Sequence, residues 1–355
     1  YTECFCQLDM NLEMINKIDN HFILIDKCAE ETRIVEIFDK KIKKFISWFD
    51  LSPPIIGKVY EAYIIKKLNG GVARARLKDK SIVTVRGVTK EIKENSLVQI
   101  IIVSDKFDDK PIQAKLLDKS EDGKKNIEKM DIVDKIIYLY FTKDIPIVND
   151  SYAIYWDTLN LDSQYLNALQ PNIKIEGGGV IWIERTKAAT LIDIDTEKLI
   201  LNTTDQLYDF CFLAFKKCMA EIKLRNIGGM IILDFPRMSL PKRKLFHENI
   251  SNIGKSIFRD GDFLGFSRLL LYEIYIPRNI RLLEHFYKGN NEFIFQNHLR
   301  SLWRKSIEIK SKSNVQFICG KDLFKKINKK KTPPFINIIE RKDLPDNYGE
   351  LTDLS

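Results

Sequence analysis

Histidine and cysteine, the side chains that most often hold zinc, are scarce in this sequence of 355 residues. It contains four histidines and six cysteines, with no Cys-x-x-Cys pair and no histidine spacing typical of a metal site. We therefore predict no structural zinc and assign no catalytic role to His247, His285 or His298. Cys211 and Cys218 lie two turns apart on a predicted helix, where buried free thiols are common, and the cysteine usage as a whole favours a reducing, cytoplasmic setting.

Long apolar runs are also absent. No segment approaches the roughly 20 consecutive apolar residues that cross a bilayer, and the first residues lack the pattern of a secretory signal. With 45% hydrophobic residues, the chain is nevertheless able to build a sizeable core shared among two or three modest domains. These features predict a folded protein with no membrane partner.

Charge is present in both signs with a mild basic excess. The 57 Lys and Arg residues against 49 Asp and Glu residues give a formal net charge of +8. Such a balance favours a polyanionic partner such as a nucleic acid. A composition rich in Lys and Ile produces the same figure without any such partner, so both interpretations stay open.

Two carboxylates follow an apolar segment in the middle of the chain. Residues 179–195 alternate as two apolar strands joined by a polar turn at Glu184–Lys187. Since strand side chains alternate between faces, Asp193 and Asp195 point to one face of this segment. A third carboxylate, Asp234, ends the short apolar strand that starts at Met230.

A helix separates these two strands. Capping-type residues at Thr203–Asp205 start it, and the Gly228–Gly229 pair after Asn226 is typical of a helix stop. A strand, a helix and a second strand form a crossover that lays the strands parallel, with their carboxyl ends at the same edge. Asp193 and Asp234 are then neighbours, and hard carboxylate oxygens suit Mg²⁺. The alternative, that each Asp caps its own strand or a following helix, stays open.

These segments resemble the core signature of the ribonuclease E/G family over roughly Gly177 to Pro277. In that family the two matching aspartates hold the catalytic magnesium and an Asn two residues after the first assists, where this chain carries Asp195. The resemblance is carried by the order of the segments, the helix length and the Gly-Gly pair. The matching runs are Thr190-Leu-Ile-Asp-Ile-Asp195 and Leu224-Arg-Asn-Ile-Gly-Gly-Met-Ile-Ile-Leu-Asp-Phe-Pro-Arg-Met238.

The resemblance implies an endoribonuclease that depends on Mg²⁺, with Mn²⁺ as a substitute, and cleaves single-stranded RNA during RNA processing or decay. Asp193, Asp234 and Asp195 would be its catalytic and metal-binding residues. Two alternatives stay open: a catalytically weak or inactive RNA-binding protein that retains the fold, and hydrolysis of DNA at the same metal site.

Short strands between Gly57 and Val103, separated by polar turns, predict a small Greek-key barrel of the OB type. It is similar to the RNA-binding barrel that the family inserts at this position. Such barrels bind single strands with basic and aromatic side chains. Arg74 and Arg76 supply charge here and Tyr60 and Tyr63 are the candidate stacking residues, although the Arg pair stands where the family usually has an aromatic. A solvated outer face is the alternative for the Arg pair.

Three further basic residues are candidates for RNA binding. Lys242 and Arg243 fall in the predicted first turn of a helix that starts near Pro241, where a bound phosphate would balance them. Arg268 lies in a segment that resembles the family's last catalytic strands and is a candidate phosphate contact. The alternatives are ordinary surface charge for the first two residues and an ion pair with Glu273 for Arg268.

The expected fold class is mixed α/β, with an OB-type barrel inserted ahead of a catalytic domain that is DNase I-like or ribonuclease H-like. No Arg occurs between Lys119 and Pro171, which leaves the family's sensor for the RNA 5′ monophosphate in doubt. The family's zinc link is also missing, and the oligomeric state stays open. The expected segments are 1–21, an N-terminal extension; 22–56, a hairpin and linker packing on the catalytic part; 57–118, the barrel; 119–170, a linker and reduced sensor-like region; 171–284, the metal-dependent catalytic domain; and 285–355, a small α/β appendage.

Overall fold

The computed structural model describes residues 20–49, 57–104, 111–117, 131–141, 144–278, 280–287, 289–308, 315–327 and 336–353. Most of the expected N-terminal extension, the Pro53–Pro54 linker, the charged segment 119–125 and the second half of the basic run 325–331 lie outside these residues. The chain divides into two compact units. The first comprises residues 1–51, 145–166 and 284–355, and the second comprises residues 52–144 and 167–283.

The described strands and helices are numbered in chain order. The strands are β1 (His21–Cys28), β2 (Glu31–Phe38), β3 (Lys41–Phe49), β4 (Val59–Leu68), β5 (Val72–Leu77), β6 (Ile82–Arg86), β7 (Leu97–Ser104), β8 (Ile112–Leu116), β9 (Ile147–Asn149), β10 (Asn172–Lys174), β11 (Val180–Arg185), β12 (Ala189–Asp195), β13 (Gly229–Asp234), β14 (Asp262–Phe266), β15 (Tyr272–Ile276), β16 (Val315–Cys319), β17 (Ile336–Glu340) and β18 (Gly349–Asp353). The helices are α1 (Ile132–Tyr140), α2 (Ile154–Thr158), α3 (Leu161–Asn167), α4 (Thr204–Leu224), α5 (Leu240–Ile257), α6 (Asn290–Glu308) and α7 (Lys321–Ile327), with a short 3-10 turn at Leu283–His285.

In the second unit, strands β4 to β8 close into a barrel with the order β4-β5-β6-β8-β7. The alternation along β5 shows how the sequence specifies it. Ala73, Ala75 and Leu77 are buried in the barrel core, whereas Arg74 and Arg76 between them are exposed. Small alanines fit the narrow interior of a five-stranded barrel. The closed barrel fits the expected OB type, and with it the mixed α/β fold class is confirmed.

The second unit also contains a six-stranded sheet with the order β10-β11-β12-β13-β15-β14. Strands β12 and β13 are parallel, as the crossover requires, and the other neighbours are antiparallel. Helices α4 and α5 cover one face of this sheet. Its core contains Ile181, Ile183, Ile192, Ile194, Ile231, Leu233, Tyr272 and Ile274 from the strands, and Phe210, Phe215, Cys218, Met219, Phe246 and Ile250 from the helices.

Helix α4 begins as predicted and ends differently. Thr203 and Gln206 form a reciprocal capping box at its start. At its end the left-handed residue is Asn226, with a φ of 55°. The amide of Ile227 donates to the carbonyl of Ile222 at 2.9 Å and the amide of Asn226 to that of Lys223 at 3.3 Å. This is a Schellman motif, so Asn226 stops the helix and the Gly228–Gly229 pair leads into β13.

The cysteines of α4 belong to this core. Cys211 and Cys218 are free thiols with no exposed surface. Burial raises the pKa of the Cys211 thiol to about 12, which disfavours the reactive thiolate. Both residues act as small apolar side chains, in agreement with the prediction of buried free thiols.

The first unit contains two smaller sheets, with the orders β3-β2-β1-β9 and β17-β16-β18. The predicted hairpin corresponds to β1 and β2. The sequence did not indicate that β3 would extend it on one side or that β9 would pair in parallel with β1 on the other. The expected C-terminal α/β appendage contributes α6, α7 and β16 to β18 to the same unit.

A buried arginine joins three segments of the first unit that are far apart in sequence. Arg33 is 1% exposed, and its Nε lies 3.1 Å from Oε1 of Glu31. Its guanidinium lies 4.9 Å from the ring centroid of Trp156 and 5.0 Å from that of Phe293. Trp156 is 2% exposed and is therefore a core residue. Ion pairing and cation–π contacts together compensate the desolvation of this charge.

The turn into β11 depends on a glycine. Gly179 has a φ of +85°, and a Cβ there would lie 2.7 Å from the carbonyl oxygen of Asp195 and 2.8 Å from Cε2 of Phe210. Gly177, two residues earlier, has a similar φ of +90° with nothing within 4 Å of the same position. The two residues therefore share the backbone conformation and differ in the space around them.

We predict that Gly179→Ala lowers the free energy of unfolding by about 1 to 3 kcal/mol more than Gly177→Ala does, because only the first adds a steric clash. Both variants share a backbone cost of about 1 to 2 kcal/mol for the left-handed conformation. Urea unfolding curves of the two variants measure the difference. Equal loss of stability in both would contradict the close approach at Gly179.

Candidate metal centre and nucleic-acid surfaces

The carboxylates at the ends of β12 and β13 are neighbours on the sheet. In the parallel register of the two strands, Asp193 lies opposite Asp234, and adjacent strands are about 4.8 Å apart. Both side chains are exposed, whereas Ile192, Ile194 and Leu233 are buried on the other face under the helices. The two aspartates therefore lie side by side on the face of the sheet that α4 and α5 do not cover.

Asp195 lies on the same face, two residues beyond the end of the β12–β13 pairing. Its Oδ1 accepts a hydrogen bond from the amide of Glu197 at 2.8 Å. In the part of the chain that the structure describes, no group of three or more His, Cys, Asp or Glu side chains is arranged to hold a metal ion. The candidate centre is thus a pair of carboxylates, with the third held by a turn beside it.

The electrostatics of the pair fit a cation. Partial desolvation beside the sheet raises the pKa of Asp193 above its ordinary value, and the negative charges of Asp234 and Asp195 raise it further. None of the ion pairs among the described residues involves Asp193 or Asp234. Two hard oxygen donors that repel each other are the kind of set that binds Mg²⁺, which completes its shell with water and phosphate oxygens.

A tryptophan lies in the same row as the two carboxylates. Trp182 pairs with Asp193 across the antiparallel β11–β12 ladder and with Asn172 on its other side. It is 39% exposed. Trp182 is not among the site residues expected from the sequence, because the alternation around it identifies only a strand. The turn lies at residues 186–188 instead of the predicted Glu184–Lys187, and the sequence alone did not specify the pairing of Trp182 with Asp193 that results.

The outer face of the barrel combines basic and apolar side chains in rows across the strands. Arg76 lies between Tyr63 and Ile82 in the register, and Arg74 lies between Lys66 and Thr84. Lys66 opposite Arg74 is a like-charge pair, which is unfavourable without a counter-ion. The next row contains Arg86 opposite Lys115. The face can therefore attract the phosphates of a nucleic acid.

Of the two candidate stacking residues, Tyr63 is the better placed. It is 45% exposed on the outer face beside Arg76 and Leu97. Tyr60 is half-buried and packs against the barrel core, with Lys58 Nζ 5.3 Å from its ring centroid. The sequence does not show which of the two tyrosines is exposed, since exposure depends on how the barrel closes.

Of the two basic residues in the first turn of α5, Lys242 is already paired within the protein. Lys242 Nζ lies 2.5 Å from Oδ1 of Asp205, at the start of α4, and 5.5 Å from the ring centroid of Tyr208. The Nε of Arg243 is buried without a hydrogen-bond partner. Ser239 forms no side-chain cap hydrogen bond. Lys242 therefore joins the two helices, and Arg243 is the stronger candidate for an anion at this helix start.

Arg268 lies in the hairpin turn between β14 and β15, at the same end of the sheet as Asp234. Tyr272 of β15 pairs with Leu233 of β13 and with Phe266 of β14. The turn between β14 and β15 therefore lies at the level of Asp234, the residue after Leu233. Arg268 is exposed, and among the described ion pairs it has no partner. The alternative ion pair with Glu273 is thus not formed, which leaves its guanidinium available for a phosphate.

The protein belongs to the mixed α/β class. It combines a closed barrel that fits the OB type with a six-stranded sheet on which two carboxylates are neighbours. The model of the ribonuclease E/G family matches residues 75–274, more than half of the chain. The chain belongs to the ribonuclease E/G family. This confirms the resemblance on which the sequence interpretation relied.

Individual relatives match shorter stretches. Ribonuclease G of Haemophilus influenzae is 27% identical over 175 residues, covering 45% of this chain and 35% of the relative. Ribonuclease G of Escherichia coli K12 is 28% identical over 134 residues, covering 37% and 27%. Ribonuclease E of Synechocystis is 36% identical over 80 residues, covering 22% and 12%. The matched part of this chain spans about a third or less of the length of these relatives.

None of the helices that the structure describes is both long and apolar enough to cross a bilayer.

We predict that Asp193→Asn raises the melting temperature of the metal-free protein at neutral pH by about 1 to 2 °C. The pKa of Asp193 is raised in the folded state, so its ionised form costs stability above that pKa and costs nothing below the unfolded value. The variant removes this cost. Saturating Mg²⁺ should stabilise the wild type and leave the variant nearly unchanged.

Asp262→Asn is the matched control, since Asp262 is an exposed carboxylate on the edge strand of the same sheet. It should keep the response to Mg²⁺. Thermal unfolding with and without Mg²⁺ makes both comparisons. A full Mg²⁺ response in Asp193→Asn would show that Asp193 and Asp234 do not form the metal site.

Proposed function

We propose that this protein is a Mg²⁺-dependent endoribonuclease that cleaves single-stranded RNA. The observation that carries the proposal is the register of Asp193 opposite Asp234 on the open face of the sheet. Membership of a family whose relatives are named ribonuclease G and ribonuclease E supports the substrate class. We infer in addition that the catalytic domain has a DNase I-like or ribonuclease H-like fold and that the domains have the boundaries expected from the sequence. We also infer that the protein acts in RNA processing or decay in the cytoplasm.

Asp193 and Asp234 would hold the metal. When bound, Mg²⁺ supplies positive charge at the scissile phosphate and lowers the pKa of attacking water, and Mn²⁺ can supply the same. Asp195, oriented by the amide of Glu197, keeps the site negative and accepts a hydrogen bond from water beside it. The chemistry requires no histidine.

Phosphate recognition falls to the basic residues around this centre. Arg268 on the hairpin turn matches a phosphate with two parallel hydrogen bonds. Arg243 contributes a buried N–H near the amino end of α5, where backbone amides also point at an anion. Lys242, paired with Asp205, orients that helix start rather than contacting RNA directly.

The barrel would bind a further stretch of the same RNA strand. Arg74, Arg76 and Arg86 attract the phosphates, and Tyr63 offers a stacking surface among them, with Tyr60 as a second aromatic nearer the core. One exposed aromatic and several cations make binding more electrostatic than aromatic.

The second candidate function is RNA binding without efficient cleavage. The observation that favours it is the carboxylate pair without a third carboxylate close enough to share the ion in the described part of the chain. Tight RNA binding with no product in either Mg²⁺ or Mn²⁺ would select this function over the first. Cleavage of single-stranded DNA at equal rates would redirect the substrate class, since the metal acts on phosphate in both.

We predict that Asp234→Asn lowers the cleavage rate of a labelled single-stranded RNA by about 1,000-fold or more, the order expected for loss of a principal transition-state contact. Binding of the RNA should change by less than threefold because the barrel residues remain. Asp262→Asn, with its carboxylate at the sheet edge, should cleave at the wild-type rate. Undiminished cleavage by Asp234→Asn would refute the assignment, and EDTA provides a metal-free baseline.

We predict that the double variant Arg74→Ala, Arg76→Ala binds single-stranded RNA more weakly and with a shallower dependence on salt. Each lost phosphate contact reduces the slope of log K against log salt by about 0.7 on single strands, so the slope should fall by about 1.4. The matched control is Lys255→Ala, Arg259→Ala, which removes two exposed cations at the carboxyl end of α5. An equal change of slope in both pairs would show that net charge, not the barrel face, governs binding.

A further inference from the structure

One half-exposed aromatic side chain adjoins the candidate metal centre. The register places Trp182, Asp193 and Asp234 in one row across β11, β12 and β13. Directly opposed residues of an antiparallel pair have Cβ atoms about 4.5 to 5.5 Å apart. The indole of Trp182 is therefore one strand away from the Asp193 carboxylate and on the same face.

No partner in the part of the chain that the structure describes explains the position of the indole. Its neighbours along the strand, Ile181 and Ile183, enter the core beneath α4 and α5, whereas Trp182 points away from it. Within the described residues, the indole of Trp182 forms no hydrogen bond, ring contact or cation–π contact. A large aromatic group left 39% exposed forgoes hydrophobic stabilisation that burial would provide.

The row of Trp182, Asp193 and Asp234 has different chemical groups at its two ends. Beyond Asp234 the sheet continues into the hairpin turn that carries Arg268, so an aromatic group flanks the carboxylate pair on one side and a cation on the other. A single strand of RNA has the same alternation of flat bases and charged phosphates. A phosphate between Asp193 and Asp234 needs a metal, whereas the attached base needs only a π surface one strand away.

We propose that Trp182 is a stacking platform for a nucleobase next to the phosphate held between Asp193 and Asp234. This proposal rests on the proposed function and deepens it, since it makes an unpaired base beside the scissile bond part of what the site recognises. Every base has a π face, so the platform selects single-stranded character over sequence. Trp182 binds and positions substrate and takes no part in bond making or breaking.

The first test combines protein and substrate changes. Trp182→Leu should lower kcat/KM for a single-stranded oligoribonucleotide by about 5- to 150-fold, the range expected for one stacked base. Trp182→Phe keeps a smaller π surface and should recover most of that loss. Thermal unfolding of both variants should match the wild type, because the indole lies outside the core.

An abasic series separates stacking from structural damage. Oligoribonucleotides with one abasic nucleotide, moved along the strand past the mapped cleavage site, should show a single position near it where the wild type loses activity. At that position Trp182→Leu should lose nothing further, because both changes remove the same contact. Additive losses at every position would overturn the proposal.

Tyr275→Leu is the matched control. Tyr275 is 46% exposed on the same face of the sheet, and it lies opposite Met230, four residues before Asp234 along β13. It is thus about 13 Å from the carboxylate pair at 3.3 Å per residue. Its loss should change kcat/KM by less than twofold. A loss equal to that of Trp182→Leu would assign the effect to the whole face instead of the platform.

Fluorescence gives a readout that does not require turnover. The emission of the wild type minus that of Trp182→Phe reports on Trp182, and the intact oligoribonucleotide in Mg²⁺ should quench it more than the same strand abasic at the mapped position. Quenching by protein concentration alone, without RNA, would identify a protein contact and overturn the proposal. Cleavage that depends on Asp234 without any effect of Trp182 would leave the proposed function standing and remove only the platform. Quenching by RNA without cleavage would leave the platform standing and remove the proposed cleavage activity.

Discussion

The parallel register of β12 on β13 is the constraint on which the candidate site depends. It places Asp193 opposite Asp234, and a shift by one residue would turn one of the two carboxylates into the core. Several features hold that register. The capping box at Thr203 and the Schellman motif at Asn226 define the length of the connecting helix, and the approach of Gly179 to Asp195 and Phe210 fixes where β11 joins. This framework keeps the two carboxylates together despite their mutual repulsion, which a bound cation would relieve.

The six-stranded sheet has two unlike faces, and this asymmetry separates stability from recognition. The face under α4 and α5 consists of aliphatic and aromatic side chains packed in one core, and it supplies the hydrophobic stabilisation of the second unit. The opposite face carries exposed carboxylates together with exposed Trp182, Leu191, Met230 and Tyr275. Because the covered face holds the strands together, the open face can tolerate like charges and an unpacked indole.

Electrostatics divides the work between the barrel and the sheet. The outer face of the barrel presents Arg74, Arg76 and Arg86 among apolar side chains, so it attracts a polyanion at long range and depends on salt. The sheet presents carboxylates, which repel the same polyanion unless a metal ion intervenes. Under the proposed function, binding and chemistry would thereby be separable, and selectivity at the sheet would require a short-range, uncharged contact of the kind that stacking provides.

Local patterns in the sequence were sufficient for the barrel, for the strand, helix and strand around Asp193 and Asp234, and for family membership, because alternation and helix caps are decided by residues close together in the chain. The structure differed where distant residues meet. Asp205 pairs with Lys242, 37 positions away in sequence. Asn226, not the glycine pair, ends helix α4. Trp156 and Phe293 contact Arg33 in a unit built from three separate segments. The sequence by itself determined which residues face the same side of each strand, since the period of two is a property of the extended backbone. Only the tertiary structure decided that Trp182 adjoins Asp193, because cross-strand neighbours depend on turn length and strand register.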